Sequence, residues 1–252
     1  MLRLLCCLFV FVTTSVALAL SDGELDSIGR RVWQNECGGT RDGLTSWNSG
    51  ENFASLGIGH FIWYSKGARG PFEESFPGLV RFLSENGVKT PGWLSGDCPW
   101  NSRADFQADF RSARMNELRD LLASTIRLQS RFLAARMQSA LPKMVDAAPS
   151  AQRENIRRQF ARLAATGAGT YALIDYVNFK GEGTKDSERY KGEGWGLLQV
   201  LAGMHGSGPG AAKEFGESAA NVLTRRVRNA PPERHEERWL PGWKNRVAGY
   251  GG

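Results

Sequence analysis

One acidic side chain, Glu36, ends a helical pattern and leads directly into a predicted β-hairpin. Leu25, Ile28 and Val32 follow one another at spacings of three and four residues, which predicts an amphipathic helix with Glu36 on its apolar stripe. Partial burial and the negative end of the helix dipole would both favour the protonated carboxyl group. Cleavage of a glycosidic bond requires such an acid beside the leaving oxygen. The sequence therefore makes Glu36 a candidate general acid.

The second strand of the predicted hairpin has two unlike faces. Strand alternation places two apolar side chains and a histidine on one face: Leu56, Ile58 and His60. The opposite face carries one hydroxyl and two glycines: Ser55, Gly57 and Gly59. Because glycine has no side chain, we expect a ligand to approach the backbone on this second face, at Gly57. His60 is a candidate for substrate contact, although its position on the apolar face favours a hydrogen-bonded structural role over proton transfer.

A second group of polar residues lies between positions 178 and 199, where glycines separate them. The candidates for substrate binding in this group are Asn178, Lys180, Glu182, Glu193, Trp195 and Gln199. Such a loop would line a sugar groove, with the Trp195 indole stacked on a pyranose ring. The alternative is an ordinary charged loop held by salt bridges. Trp47 and Asn48, in the hairpin, are further candidates for the same groove.

These motifs resemble the phage-type lysozymes and, more loosely, the wider lysozyme-like superfamily. The resemblance is carried by Glu36-Cys37-Gly38-Gly39 and by Ser55-Leu56-Gly57-Ile58-Gly59-His60-Phe61. In that family a helix-terminal glutamate is followed by a hairpin that ends in Gly-Ile-Gly-His. Residues 172–179 resemble the family's buried central helix, and Arg225-Arg226 is similar to its arginine-bearing C-terminal helix.

The resemblance implies Glu36 as proton donor in cleavage of β-1,4 bonds of an amino-sugar polymer, most simply peptidoglycan, without a cofactor. It places Ser55 where the family usually has threonine, to position the attacking water. The second acid departs from the family pattern, and Glu51 is the first candidate, with Asp42 behind it. Without a second carboxylate the chemistry would be that of a lytic transglycosylase. A non-catalytic glycan-binding cell-wall protein is the third alternative, because fold does not guarantee activity.

The remainder of the chain, which must position these residues, reads as mainly helical. Strands are predicted over 44–47 and 53–61. Helical patterns occur at residues 21–37, after Pro77, and over 105–141, 152–165, 170–179, 195–204 and 211–227. Pro142 is expected to interrupt the helical pattern, and the end of the chain reads as a tail with Pro and Trp. The fold class predicted is α+β, mainly α-helical: a single lysozyme-like domain over residues 20–252 with a small β-hairpin sheet.

Residues 1–19 have the pattern of a secretory signal peptide, with a basic start, an apolar run and Ala17-Leu18-Ala19 before the cleavage point. We therefore expect a periplasmic or secreted protein with no stable membrane anchor after cleavage. In an oxidising compartment, Cys37 and Cys98 would most simply form a disulfide, and two buried thiols are the alternative.

The charge of the chain is modestly positive. There are 32 basic and 26 acidic residues, and only Arg3 lies in the predicted leader, so the remainder carries +5. Such a surface suits an acidic partner such as cell-wall glycan or anionic lipid, and export argues against nucleic acid. An ordinary solvated surface with a mild excess of charge is the alternative. The spacing of His60, His205 and His235 predicts no metal site. The sequence gives no indication of the oligomeric state.

Overall fold

A computed structural model describes residues 20–70 and 72–251 of the 252-residue chain. The predicted signal peptide, residues 1–19, lies outside the described residues. The described chain is mainly helical and carries a small antiparallel sheet, which confirms the α+β class. None of its helices combines the length and the apolar character needed to cross a membrane.

Helix α1 (Asp22–Cys37) begins and ends as the sequence predicts. The Ser21 side chain accepts the Glu24 backbone N–H, and the Glu24 carboxylate accepts the Ser21 N–H, which forms a capping box. The helix ends at Gly38, whose left-handed φ of 61° favours glycine. The predicted apolar stripe is confirmed, since its members are buried: Leu25, Ile28 and Val32.

The small sheet consists of β1 (Thr45–Ser46), β2 (Phe53–Leu56) and β3 (Phe61–Tyr64) in that order, all antiparallel. The prediction of one strand over 53–61 is wrong, because residues 57–60 form a turn between β2 and β3. All four residues of β2 are buried, so the strand has no open face.

The glycines of this turn allow a close approach by the protein itself rather than by a ligand. Gly57 has a φ of +72°, and a Cβ there would lie 2.5 Å from the Gln129 side-chain oxygen. A Cβ on Gly59 would lie 2.9 Å from the Phe61 ring and 3.1 Å from Leu133. The expected ligand contact at Gly57 is therefore wrong, because α5 (Ile126–Ala147) covers the turn.

The helices after the sheet are α2 (Phe76–Glu85), α3 (Arg103–Asp109), α4 (Ala113–Ser124) and α5. The long helix predicted over 105–141 is thus three helices. Helix α3 ends before Ser112, whose side chain caps the start of α4 by accepting the Met115 N–H at 3.0 Å. The predicted interruption at Pro142 is also wrong, because α5 continues through it to Ala147.

The C-terminal part contains five helices and a two-stranded antiparallel hairpin in the described residues. They are, in order, α6 (Ser150–Ala164), α7 (Gly167–Lys180), β4 (Arg189–Tyr190), β5 (Glu193–Gly194), α8 (Leu197–Ala202), α9 (Ala211–Asn229) and α10 (Leu240–Ala248). Helix α7 is buried from Gly169 to Tyr176, as its apolar sequence predicts. Helix α10 forms in the segment that was predicted to be an irregular tail, and it packs on α9.

The two cysteines are free buried thiols, and the predicted disulfide is wrong. The Cys37 thiol points to the Gly57 carbonyl, 3.5 Å away, whereas the Cys98 thiol points to the Trp100 carbonyl at 3.6 Å. Gly57 precedes β3, while Cys98 pairs with Ser65 just after it, so the thiols lie at opposite ends of that strand. Burial raises the pKa of Cys37 to about 12 and that of Cys98 to about 11.

Candidate functional site

The Glu36 side chain lies in the last turn of α1 and is mostly buried against α10. It is 14% exposed, and its Oε1 accepts a hydrogen bond from Arg246 Nη2 at 2.5 Å. Its Oε2 lies 3.5 Å from His60 Nδ1. The carboxylate is thus surrounded by a guanidinium and an imidazole, and not by the apolar side chains that the helical stripe suggested.

Arg246 is fixed by a second, fully buried carboxylate. Its Nε and Nη2 each donate to one oxygen of Asp175 at 2.8 Å, and the Tyr250 hydroxyl donates to Asp175 at 2.5 Å. Burial opposes the charge of Arg246, but Asp175 and then Glu36 outweigh it and raise its pKa. A two-pronged Arg–carboxylate pair is strong and directional, so the contact holds α1, α7 and α10 together around Glu36.

His60 reaches Glu36 from the turn between β2 and β3, where its φ of 48° is left-handed. It does not share a strand face with Leu56 and Ile58, contrary to the sequence prediction. Burial lowers the pKa of His60, Glu36 opposes this, and Arg246 adds to it. This shift favours the neutral imidazole, and Arg246 is the cation that donates a hydrogen bond to Glu36.

A pocket of about 280 Å³ lies next to Arg246, the residue whose guanidinium binds the Glu36 carboxylate. Helices α1, α7 and α10 line it with two amides, two aromatic rings and the site arginine: Asn35, Phe179, Gly242, Trp243, Asn245 and Arg246. Ligand sites commonly combine apolar walls with a few polar groups in this way. The lining therefore combines two aromatic ring faces with amide groups and one guanidinium.

Lys180, the last residue of α7, packs against two of the aromatic rings that line this pocket. Its Nζ lies 3.4 Å from the Trp243 ring centroid and 3.9 Å from that of Phe179. Burial first, and the nearby Arg226 second, lower the pKa of this amine to about 6. Of the predicted substrate-binding residues, Lys180 and His60 are therefore the ones that the structure brings close to Glu36.

Glu51 lies at the tip of the β1–β2 hairpin. Its carboxylate accepts the Asn48 side-chain amide at 3.0 Å, and its carbonyl accepts the Trp47 indole N–H at 2.8 Å. Burial raises the pKa of Glu51, with the Asn48 hydrogen bonds opposing it. Strand β2 separates this tip from the turn that begins at Gly57 and brings His60 to Glu36. Glu51 and Glu36 therefore lie near opposite ends of β2.

The other residues proposed for handling water are committed to packing or ion pairs. Ser55 is 3% exposed inside the sheet, where it pairs with Ser46 of β1. The Asp42 carboxylate lies 3.3 Å from Arg111 and 3.7 Å from the fully buried Arg119. Asp42 therefore holds α4 against the segment before β1.

Two acidic candidates of the second cluster form salt bridges away from Glu36. Glu182 pairs with Lys143 of α5 at 2.8 Å, and Glu193 pairs with Arg225 of α9 at 2.9 Å. Each bridge joins the glycine-rich loop to a neighbouring helix. For these two residues the alternative of an ordinary charged loop describes the structure.

The remaining members of that cluster support the fold or lie near Lys180. The Trp195 ring is 7% exposed and covered by the Arg226 guanidinium at 4.1 Å, so the predicted stacking on a sugar is wrong. Gln199 accepts the Gly196 N–H at 2.9 Å and donates to the Gly183 carbonyl, which closes the loop. Asn178 is half-buried, two residues before Lys180.

Sequence reasoning missed the residues that complete this site: Asp175, Trp243, Arg246 and Tyr250. A signal for α10 was present, because Leu240, Trp243 and Val247 have helical spacing after a proline-containing start. No signal paired Arg246 with Glu36, since the two positions are 210 residues apart.

No known protein family, curated protein or solved structure matches the chain. In residues 20–70 and 72–251, no cluster of three or more His, Cys, Asp or Glu side chains is arranged to hold a metal ion. The interpretation of the site therefore depends on its own geometry.

Proposed function

We propose that the protein is an exported lysozyme-like enzyme that cleaves β-1,4 bonds of peptidoglycan, with Glu36 transferring the proton. The observation that carries this proposal is a mostly buried carboxylate at a helix end, beside a pocket of amides and aromatic rings. Amides suit the hydroxyl and acetamido groups of amino sugars, and aromatic rings suit the faces of pyranose rings.

In the proposed reaction, the Glu36 carboxyl group gives its proton to the glycosidic oxygen as the bond from that oxygen to the sugar C1 breaks. A water molecule adds to C1, and one of its protons passes to the Glu36 carboxylate, which restores the acid. Arg246 shares its charge between Glu36 and Asp175. Because the pair with Asp175 is two-pronged, Arg246 remains in place when Glu36 takes up a proton.

A lytic transglycosylase is the second candidate, and the position of the other acids favours it. Glu51 lies at the far end of the hairpin, and Asp42 is held by two arginines. A transglycosylase needs no second carboxylate, because a hydroxyl of the sugar itself attacks C1 and the product is an anhydro sugar. Glu36 then both donates the proton and receives one.

The test is clearing of purified peptidoglycan by the wild type, Glu36→Gln and a matched control, Glu217→Gln. Glu217 is an exposed carboxylate on α9. We expect Glu36→Gln to lose about 100-fold or more of the rate, because positioned proton transfer contributes at least that factor, and the control to clear normally. Equal clearing by all three proteins would remove Glu36 from the mechanism.

A further inference from the structure

We propose that Lys180 and the pocket beside it form a subsite for a carboxylate carried by the sugar unit next to the cleaved bond. This inference deepens the proposed function and rests on it for the choice of sugar. It assigns Lys180 to substrate specificity rather than to proton transfer. The ligand class is an acidic amino sugar, as opposed to a neutral one.

The position of the amine carries the first step. Lys180 Nζ lies over two aromatic rings that also line the pocket, those of Phe179 and Trp243. In the described part of the chain, no carboxylate lies within 4.0 Å of this amine. A half-buried amine that packs against two rings of a pocket, with no carboxylate within salt-bridge distance, is a site that an anionic ligand group would complete.

The charges around Lys180 are the second observation that supports the subsite. The other two cations already have their partners: Arg226 pairs with Glu236 at 2.7 Å, and Arg246 pairs with Asp175 and Glu36. These groups come from α1, α7, α9, α10 and the turn before α10. Each carboxylate in this cluster is thus bound to an arginine, which leaves Lys180 as the amine available to a ligand.

The surface beside the amine suits a sugar ring. Trp243 is half-buried and stacks on Trp239, with ring centroids 6.0 Å apart, and Trp239 is 43% exposed. The amides of Asn35 and Asn245 lie in the same pocket. Apolar ring surface, amides and an amine together fit an N-acetylated sugar that carries a carboxylate.

In peptidoglycan this carboxylate has two sources, the lactyl group of the muramyl sugar and the stem peptide attached to it. Titration calorimetry at pH 7.5 separates them with four ligands: N-acetylmuramic acid, its methyl ester, N-acetylglucosamine and muramyl dipeptide. The dipeptide has no free lactyl carboxylate but has one carboxylate on the peptide. Whichever of the acid or the dipeptide binds in a Lys180-dependent way identifies the source.

The variants are Lys180→Met and the matched control Lys244→Met, an exposed lysine on α10. We expect the wild type and the control to bind a carboxylate-bearing ligand at least tenfold more tightly than the ester and N-acetylglucosamine. Lys180→Met should lose this preference while keeping the wild-type circular dichroism spectrum. Binding to the wild type should also take up a proton, seen as a buffer-dependent heat, because burial lowers the pKa of Lys180 to about 6.

Glu36→Gln separates failure of the subsite from failure of the catalytic proposal. We expect this variant to keep the preference for the carboxylate while it loses peptidoglycan clearing. If Lys180→Met keeps the preference, or if no carboxylate-bearing ligand is preferred by the wild type, the subsite is refuted. If the preference depends on Lys180 but the wild type clears no peptidoglycan, the subsite stands and the cleavage reaction is refuted.

Discussion

The Arg246 guanidinium binds two carboxylates of different exposure, those of Asp175 and Glu36, and this shared contact defines the site. Asp175 is fully buried and accepts two hydrogen bonds from Arg246, whereas Glu36 is partly exposed and accepts one from it. Breaking a buried pair typically costs about 3–5 kcal/mol, since the remaining charge loses its partner. Arg246 is therefore anchored by Asp175, and Glu36 is the carboxylate that can change partners.

The His60 imidazole reports on the charge of Glu36. Burial lowers the pKa of His60, and Glu36 is the group that opposes this effect, while Arg246 reinforces it. Glu36→Gln removes the opposing charge, so we expect the pKa of His60 to fall further in that variant. NMR titration of the imidazole measures it directly. An unchanged or higher pKa would mean that the 3.5 Å contact between the two side chains does not exist in solution.

Lys180 gives the wild type a pH dependence of stability. In the unfolded chain lysine keeps its proton up to a pKa of about 10.4, but in the fold the pKa of Lys180 is about 6. The unfolded state therefore binds more protons between these values, and stability increases with pH by up to about 1.4 kcal/mol per unit.

Lys180→Met removes that slope. We expect the free energy of unfolding of the wild type to rise relative to the variant between pH 7 and pH 9, as measured by urea denaturation. Other titrating groups cancel in this comparison, because both proteins contain them. Parallel pH profiles for the two proteins would show that the amine is solvated and would also weaken the proposed subsite.

Among the contacts between helices, strands and turns, the one between α5 and the turn after β2 supports the site most directly. Gln129 Oε1 accepts the Ile58 N–H at 2.9 Å, and its Nε2 donates to the Leu122 carbonyl at 2.6 Å. This fully buried glutamine thereby fixes the turn that presents His60 to Glu36.

Gln129→Met should destabilise the protein by about 1–3 kcal/mol, because it leaves the Ile58 N–H without a partner. The Leu122 carbonyl loses one hydrogen bond but still accepts the Thr125 N–H. Gln152→Met, at an exposed position on α6, is the matched control and should change stability by less than about 0.5 kcal/mol. Thermal or urea unfolding measures both. A small effect of Gln129→Met would show that another group holds the turn.

Local signals predict some elements and fail for others. Helix α1 follows from Ser21, Glu24 and Gly38, whose preferences all agree with the structure. The Gly57–His60 turn reads as a strand because two glycines and two side chains alternate there as they would in a strand. The left-handed backbone at Gly57 and His60 makes this segment a turn and not a strand. The turn packs against α5, and the local sequence does not encode that contact.

For the whole molecule, sequence reasoning identifies the class and one residue of the site but not the partners of that residue. Fold class and the position of Glu36 depend on patterns within about one helix or hairpin. The Glu36–Arg246 pair and the separation of Cys37 from Cys98 depend on how distant elements pack, and no local spacing encodes that packing.

The most direct test of Glu36-dependent cleavage is mass spectrometry of the soluble products from purified peptidoglycan, with wild type and Glu36→Gln in parallel. The proposed cleavage predicts glycan fragments from the wild type that end at a broken β-1,4 bond, and none above background from Glu36→Gln. Fragments with a reducing end indicate hydrolysis, and fragments lighter by one water indicate the transglycosylase reaction. Intact glycan strands with the wild type, or identical fragments from both proteins, would contradict it.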